Sequence, residues 1–390
     1  MKTSAEITST AGTPAAFVIL RLLALLWAVM VGMPAGLVLV AADTWLGRSF
    51  GMTAALVALW PMVIVIAGER RTRRWGTISL GCVALGFATA FPVVYFAPGG
   101  TPQGGHVTSQ RSPANARLSR YGLSNLLPEE DQLLAGFTLI PFVDPLLSMQ
   151  QARELRDLTR QLYRELESDP DFRELGSAMG YTYETMFAGP LAEGHCYTYV
   201  PSAVGRGQPA PLLIFFHGSG GNFKAYLWIL SKLAARSGFV LVAPTGGTGD
   251  WSTAESEDGL ALALDAASRV ATIDRHRVHL AGLSNGGRAV SQLTARHGSD
   301  FASTIFISPV FDSAAVASRA FKEQCRDRRV FVTTGGQDNR VPLSYVEENV
   351  AAIRRAGGLV KLRSFDEADH FLIFSHREAL ITDLQDWLSR

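Results

Sequence analysis

The apolar run Val278–Ala281 leads straight into Gly282-Leu283-Ser284-Asn285-Gly286-Gly287, and a helical pattern follows. Glycines on both sides of Ser284 permit the strained strand-to-helix turn that lifts a serine Oγ into the open as a nucleophile. A serine attacks when a base takes its proton, and the base needs an acid to hold its working tautomer. His370, in Asp366-Glu367-Ala368-Asp369-His370-Phe371, is the only histidine just past the last apolar strand and before the final helix, and is the candidate base. Asp338, in Gly335-Gly336-Gln337-Asp338-Asn339-Arg340-Val341-Pro342, follows another apolar run and is the candidate acid. Asp369 and Glu367 are rival acids by proximity, but neighbouring side chains on an extended loop point apart. His376 is a rival base, expected inside the final helix at the surface. His195, His276, His279 and His297 read as structural or exposed.

Acyl attack by a serine leaves negative charge on the carbonyl oxygen, and backbone N–H groups must meet it. The run ending at Phe216 continues as His217-Gly218-Ser219-Gly220-Gly221-Asn222, small residues that let backbone approach a substrate closely. Ser219 is the candidate donor from this loop. Asn285, the residue after the nucleophile, is the second. His217 and Gly218 are candidate substrate-side residues. Trp251, beyond the Thr245–Thr248 loop, would either wall the acyl or alcohol pocket or pack in the core.

These residues need a scaffold that brings strand ends together. Apolar strands read at Cys196–Val200, Leu212–Phe216, Val240–Ala243, Val278–Ala281, Ala302–Ile307, Val330–Thr334 and Val360–Ser364. Helices read at Tyr226–Ser237, Gly259–Thr272, Gly287–His297, Leu343–Gly357 and His376–Leu388. Such alternation gives a mostly parallel α/β sheet with helices on both faces, and chemistry collects on loops at the C-terminal strand ends.

Residues Tyr197 to Arg390 resemble the α/β-hydrolase superfamily. Within it they resemble dienelactone-hydrolase-like proteins, feruloyl and polyhydroxyalkanoate esterases, and prolyl-oligopeptidase-like serine hydrolases. The resemblance rests on His217-Gly218-Ser219-Gly220-Gly221, Asp274-Arg275, the Ser284 turn, Asp338 with Val341-Pro342, and His370 in that order. It implies an α/β-hydrolase fold and a Ser284–His370–Asp338 triad in the chain order Ser, Asp, His. The strand order it implies keeps Cys196 and Cys325 several strands apart, so no bridge between them is expected. The leading expectation is a carboxylic-ester hydrolase working through an acyl-enzyme on a small-molecule or lipid-like ester. Rivals are a serine peptidase of prolyl-oligopeptidase type, for which no propeller-like repeats occur, and a silent binding module held at a membrane.

The first third of the chain is different. Apolar runs at 22–42, 50–67 and 77–97 carry no charge, and about 20 such residues suffice to cross a bilayer. Pro61 and Pro92 are tolerable in membrane helices. Trp45, Trp75 and Tyr95 sit near run ends, where aromatic belts form. A cleavable secretory signal is not expected, since its apolar region spans only ~7–15 residues. The loop Gly68-Glu69-Arg70-Arg71-Thr72-Arg73-Arg74 marks a cytoplasmic connection, and Lys2 and Arg21 agree with a cytoplasmic N-terminus. A third span then carries the hydrolase to the extracytoplasmic side.

The expected organisation is therefore a membrane module at 1–97, a Gly/Pro/Ser/Thr-rich linker at 98–127, a helical extension or cap at 128–190, and a hydrolase domain at 191–390. In the third part, Leu155, Leu158, Leu162 and Leu166 recur at helical spacing within Met149–Glu167. Over 390 residues the net charge is only +1 and charged residues make up 18%, so no basic field suggests a nucleic-acid partner. Three cysteines without a CxxC pair exclude a disulfide scaffold and a Cys-based metal site. The reading needs no cofactor.

Overall fold

The computed structural model describes residues 15–70, 73–98, 105–112, 123–188, 194–205 and 207–389. The chain divides into two units, one of Met1–Phe96 with Leu126–Ala135, the other of Ala97–Asn125 with Gly136–Arg390.

In the first unit the apolar runs form three helices, α1 Ala15–Ala41, α2 Trp45–Arg70 and α3 Arg73–Tyr95. All three are long and apolar enough to cross a membrane, over Phe17–Ala41, Trp45–Ile66 and Thr77–Tyr95. Each contains a proline, at 34, 61 and 92, without interruption of the helix. Trp27 Nε1 donates to Val57 O at 3.1 Å, and Thr53 Oγ1 donates to Thr89 Oγ1 at 2.8 Å. The α1–α2 connection is held by buried Asp131, whose Oδ1 accepts from the N–H of Asp43 at 2.8 Å and whose other oxygen accepts from the Thr44 hydroxyl.

In the second unit the strands are β1 Val107–Ser112, β2 Gly194–Tyr199, β3 Ala210–Phe216, β4 Val240–Thr245, β5 Ile273–Leu283, β6 Ser303–Ile307, β7 Arg329–Gly335 and β8 Leu359–Phe365. They form one sheet in the order β1-β2-β4-β3-β5-β6-β7-β8. β2 runs antiparallel to both β1 and β4, and every pairing from β4 to β8 is parallel. β3, β4 and β6 are buried along their whole length, which is why they read as unbroken apolar runs rather than alternating ones. Helices on both faces cover them.

Several boundaries differ from the sequence expectation. The helix expected from Gly259 starts at Thr253, because Ser252 and Glu255 form a capping box. β5 starts at Ile273, five residues before its apolar part. His376 is the N-cap of the helix Arg377–Leu388 rather than inside it. Within the stretch read as a linker, Val107–Ser112 is the sheet's edge strand, pairing Val107 with Tyr199 and Ser112 with Gly194. Polar residues suit an edge strand, and pairing there satisfies the backbone of β2. Cys196 and Cys325 are free and buried. β2 carries Cys196, while Cys325 ends the helix before β7, and four strands lie between β2 and β7.

Candidate active site

Ser284 sits between β5 and the helix Gly286–His297 with φ at +50°, the left-handed region a non-glycine residue enters only under constraint. Its backbone is held on both sides. Its N–H donates to Ile307 O at 2.9 Å, and its carbonyl accepts from Gly287 and Val310 at 2.8 and 2.9 Å. Gly286 must be glycine, since a Cβ there would lie 2.0 Å from Phe216 O. The turn crosses that close over the end of β3.

Three side chains line up above it. His370 Nε2 lies 3.0 Å from Ser284 Oγ, and His370 Nδ1 lies 2.8 Å from Asp338 Oδ2. Asp338 is buried, and its other oxygen accepts from the N–H of Arg340 at 2.9 Å and of Val341 at 2.8 Å. Those two donors fix which carboxylate oxygen faces the histidine. The loop carrying His370 is pinned to the loop carrying Asp338: Gly336 N–H donates to Phe365 O, Gln337 N–H donates to Ala368 O, and a Cβ on Gly335 would lie 2.2 Å from Ala368 O. Asp369 faces elsewhere. Its Oδ1 accepts from Phe371 N–H at 2.9 Å, and Gln151 Nε2 donates to its Oδ2 at 3.4 Å. Glu367 is exposed, and His376 Nδ1 pairs only with the neighbouring Ser375 hydroxyl.

Ser219 is exposed, on the loop after β3. Asn285 Nδ2 donates to Ser219 Oγ at 2.8 Å, which ties the loop to the residue after Ser284. Among the described residues, no oxygen accepts from the backbone N–H of Ser219 or Asn285. Asn285 is the N-cap of Gly286–His297, so the positive end of that helix also points at the turn.

His217 and Trp251 are both buried: the His217 ring, a candidate substrate-side group, points under the loop, and Trp251 takes the core placement, one of the two expected for it. They brace the loop from beneath. His217 Nδ1 donates to Gly218 O at 2.7 Å, and its Nε2 accepts from Gly246 N–H at 3.0 Å. That pairing needs the neutral ring, and burial pushes its pKa down to about 4. Trp251 Nε1 donates to His217 O at 2.8 Å while its ring packs on Phe216. Gly218 lies directly against the serine turn, where a Cβ would meet Ser284 Cβ at 3.1 Å. Asn222, which sequence reasoning missed, is buried, and its Nδ2 donates to Ala243 O and to Thr245 Oγ1, each at 3.0 Å. An Asn after two glycines is a turn signal that could have singled it out.

His195 and His279 are buried and structural: the Nδ1 of each lies within hydrogen-bond reach of Thr245 Oγ1 and Ser303 Oγ, respectively. His276 and His297 lie at the surface, His297 against Glu257. A further segment touches the loops carrying Asp338 and His370 without any sequence signal. Phe137 packs edge-on against Phe371, with centroids 6.0 Å apart, and Asp144 Oδ2 pairs with Arg340 at 2.7 Å. The Leu146 N–H, and then the Arg340 guanidinium, hold the Asp144 carboxyl below its usual range.

No family model and no curated protein matches the sequence. Solved structures do. A thermostable esterase is 19% identical over 50% of this chain and 59% of its own, with a TM-score of 0.42. An acylaminoacyl peptidase of Pyrococcus horikoshii is 15% identical over 51% of this chain and 39% of its own, at 0.41. A ferulic acid esterase is 19% identical over 50% and 91%, at 0.42. The chain thus spans less than two thirds of the first two proteins. The strand order, the antiparallel β2 and the strand–serine–helix turn at Ser284 give this chain the α/β-hydrolase fold, behind three apolar N-terminal helices.

Proposed function

We propose that the chain is a membrane-anchored serine hydrolase that cleaves a carboxylic ester through a covalent acyl-enzyme. The observation that carries this reading is the unbroken line from Ser284 Oγ through His370 to Asp338, at 3.0 and 2.8 Å. Ser284 Oγ forms a bond to the ester carbonyl carbon while His370 Nε2 takes its proton. Asp338 holds the Nδ1–H and stabilises the imidazolium. The charge that develops on the carbonyl oxygen falls to the N–H groups of Ser219 and Asn285, each worth roughly 3 kcal/mol of barrier. The C–O bond to the alcohol then breaks, and the leaving oxygen takes the proton from His370. A water, giving its proton to His370, attacks the acyl carbon, and the proton returns to Ser284 as the carboxylic acid departs.

The hydrolase side of this reading is extracytoplasmic, with the N-terminus and the Arg70–Arg74 loop in the cytoplasm. Arg-rich short loops stay inside. Asp131 supports the count of three spans: this residue lies beyond α3 yet holds the α1–α2 connection at Asp43 and Thr44. Two segments separated by α2 and α3 share one side of a bilayer when both helices cross it, and not when only one does.

A fluorophosphonate probe tests the chemistry on the full chain. Label should appear on Ser284, and Ser284→Ala should lose both label and p-nitrophenyl ester hydrolysis with its thermal melt unchanged. Activity that survives in a folded Ser284→Ala protein refutes the assignment. Label at Ser284 with cleavage of peptide amides and no ester would move the reading to a peptidase.

A further inference from the structure

From Gln132 to Ala152 the chain carries a single charge, Asp144, and that charge is turned inward onto Arg340. Several apolar residues of the same segment are turned outward. Phe142 and Val143 are 73% and 80% exposed, and Leu139 and Leu146 are also exposed. The segment is fixed to the base side of the site, through Phe137 on Phe371 and Asp144 on Arg340. A second apolar group lies on the donor-loop side. The helix Met179–Ala188 packs on that loop, where a Cβ on Gly221 would lie 2.7 Å from Met179 Sδ, and Thr182 Oγ1 donates to Gly247 O at 3.1 Å. Its far end exposes Met186 and Phe187, the latter by 84%.

Exposed apolar groups on this scale mark a contact with protein or membrane. We propose that the two groups rimming the Ser284 site seat it on the bilayer surface, so that its substrate is a long-chain acyl ester drawn from the lipid; this rests on the serine-hydrolase reading above. The lipid occupant is favoured by two features. The same chain carries three helices fit to cross a membrane, so a bilayer is always within reach. The apolar groups also lie on opposite sides of the catalytic residues. A protein partner covering both would shut Ser284 from its substrate, whereas an acyl-chain layer is both contact surface and substrate store. Asp144 is withheld from that layer by its pairing with Arg340, which spares a charge desolvation.

The seating is read first without activity. An NBD fluorophore is attached at Phe142→Cys in the full chain with Cys82→Ser, leaving only the buried Cys196 and Cys325. In phosphatidylcholine nanodiscs containing nitroxide lipid, its emission should be quenched, while NBD at Asp157→Cys, whose side chain is 75% exposed, should not. Equal quenching at the two positions overturns the proposal even if the enzyme chemistry stands. The second arm uses Phe142→Ser, Val143→Ser, Leu146→Ser and Phe187→Ser together. Hydrolysis of 4-methylumbelliferyl oleate held in the nanodisc should fall about tenfold or more, while that of dissolved 4-methylumbelliferyl acetate should change less than about twofold. Equal loss on both esters, no loss on oleate, or disappearance of a dimer seen in the unsubstituted protein overturns it. Quenching at 142 with neither ester cleaved refutes the hydrolase reading and leaves the membrane seat established.

Discussion

Asp338→Asn against Asp369→Asn separates the two carboxylates that compete, in the sequence, for the place beside His370. The outcome follows from which groups hold each one. Asp338 Oδ1 accepts from two backbone N–H groups, those of Arg340 and Val341. In the asparagine variant the side-chain oxygen must keep that place, because an amide NH2 cannot accept. The NH2 then faces His370 Nδ1, 2.8 Å from where Oδ2 was. An NH2 donates, so Nδ1 must accept and the ring proton moves to Nε2, facing Ser284 Oγ. That tautomer cannot take the serine proton. The cost in a related triad is ~10⁴ in rate, about 5.5 kcal/mol of barrier. Asp369 accepts from Phe371 N–H and Gln151 and touches no catalytic atom, so Asp369→Asn should lose less than about threefold, under 1 kcal/mol. The assay is kcat for p-nitrophenyl butyrate on the full chain in detergent, with the fluorophosphonate labelling rate as a second readout and thermal melts as the control for folding. Comparable losses, or a larger loss at Asp369, would refute the placement of the acid after β7 and leave Ser284 and His370 standing.

Acid should destabilise the second unit through two buried histidines. Burial lowers His217 and His279 to about 4, against 6.5 for the free ring. The unfolded chain therefore binds protons that the folded one refuses, and stability present above pH ~6.5 is lost as the pH falls toward 4. At pH 5 the loss is about 2 kcal/mol per ring. Thermal melts from pH 7.5 to pH 5 should fall, and they should fall less in His279→Leu; an identical pH slope in that variant refutes the account. For topology, an alkaline phosphatase fused after Arg390 should be active outside the cytoplasm of a bacterial host, and a cytoplasm-dependent reporter at the same point should be silent. The reverse pattern would mean that one of the three helices does not cross.

Ser284, Asp338 and His370 were legible for a common reason. Each follows an apolar run, and in a mostly parallel sheet the ends of such runs meet along one edge, so proximity in space is implied by position relative to the strand. The direction of the His217 ring was not legible, and for Trp251 the sequence left the pocket wall and the core both open. The glycine-rich pattern shows that backbone comes close to the chemistry, but whether a ring points up at substrate or down into the core depends on what the neighbouring loop offers. Here Gly246 N–H lies below and draws the His217 ring under. β1 was illegible because five of its six residues are polar and its partner lies about ninety residues on; nothing local distinguishes an edge strand from a tether. The contacts of Phe137 and Asp144 with the catalytic loops were hidden likewise, since they join positions some two hundred residues apart.

The loops of the site are locked in pairs, and this explains how a strained serine can hold its geometry. The serine turn lies on the end of β3 closely enough that Gly286 admits no side chain, and its amide hangs from Ile307 at the end of β6. The acid and base loops meet through Gly336, Gln337 and Gly335 on β7 against Phe365 and Ala368 at the end of β8. The donor loop is fastened to the loop after β4 through His217 and Trp251, and to the serine turn through Asn285 and Ser219. The Ser284, Asp338 and His370 loops are therefore each held both by bonds of their own and by backbone at the end of an adjacent strand. The positive φ of Ser284 persists because relaxing it would give up the bonds to Ile307 and Val310 together.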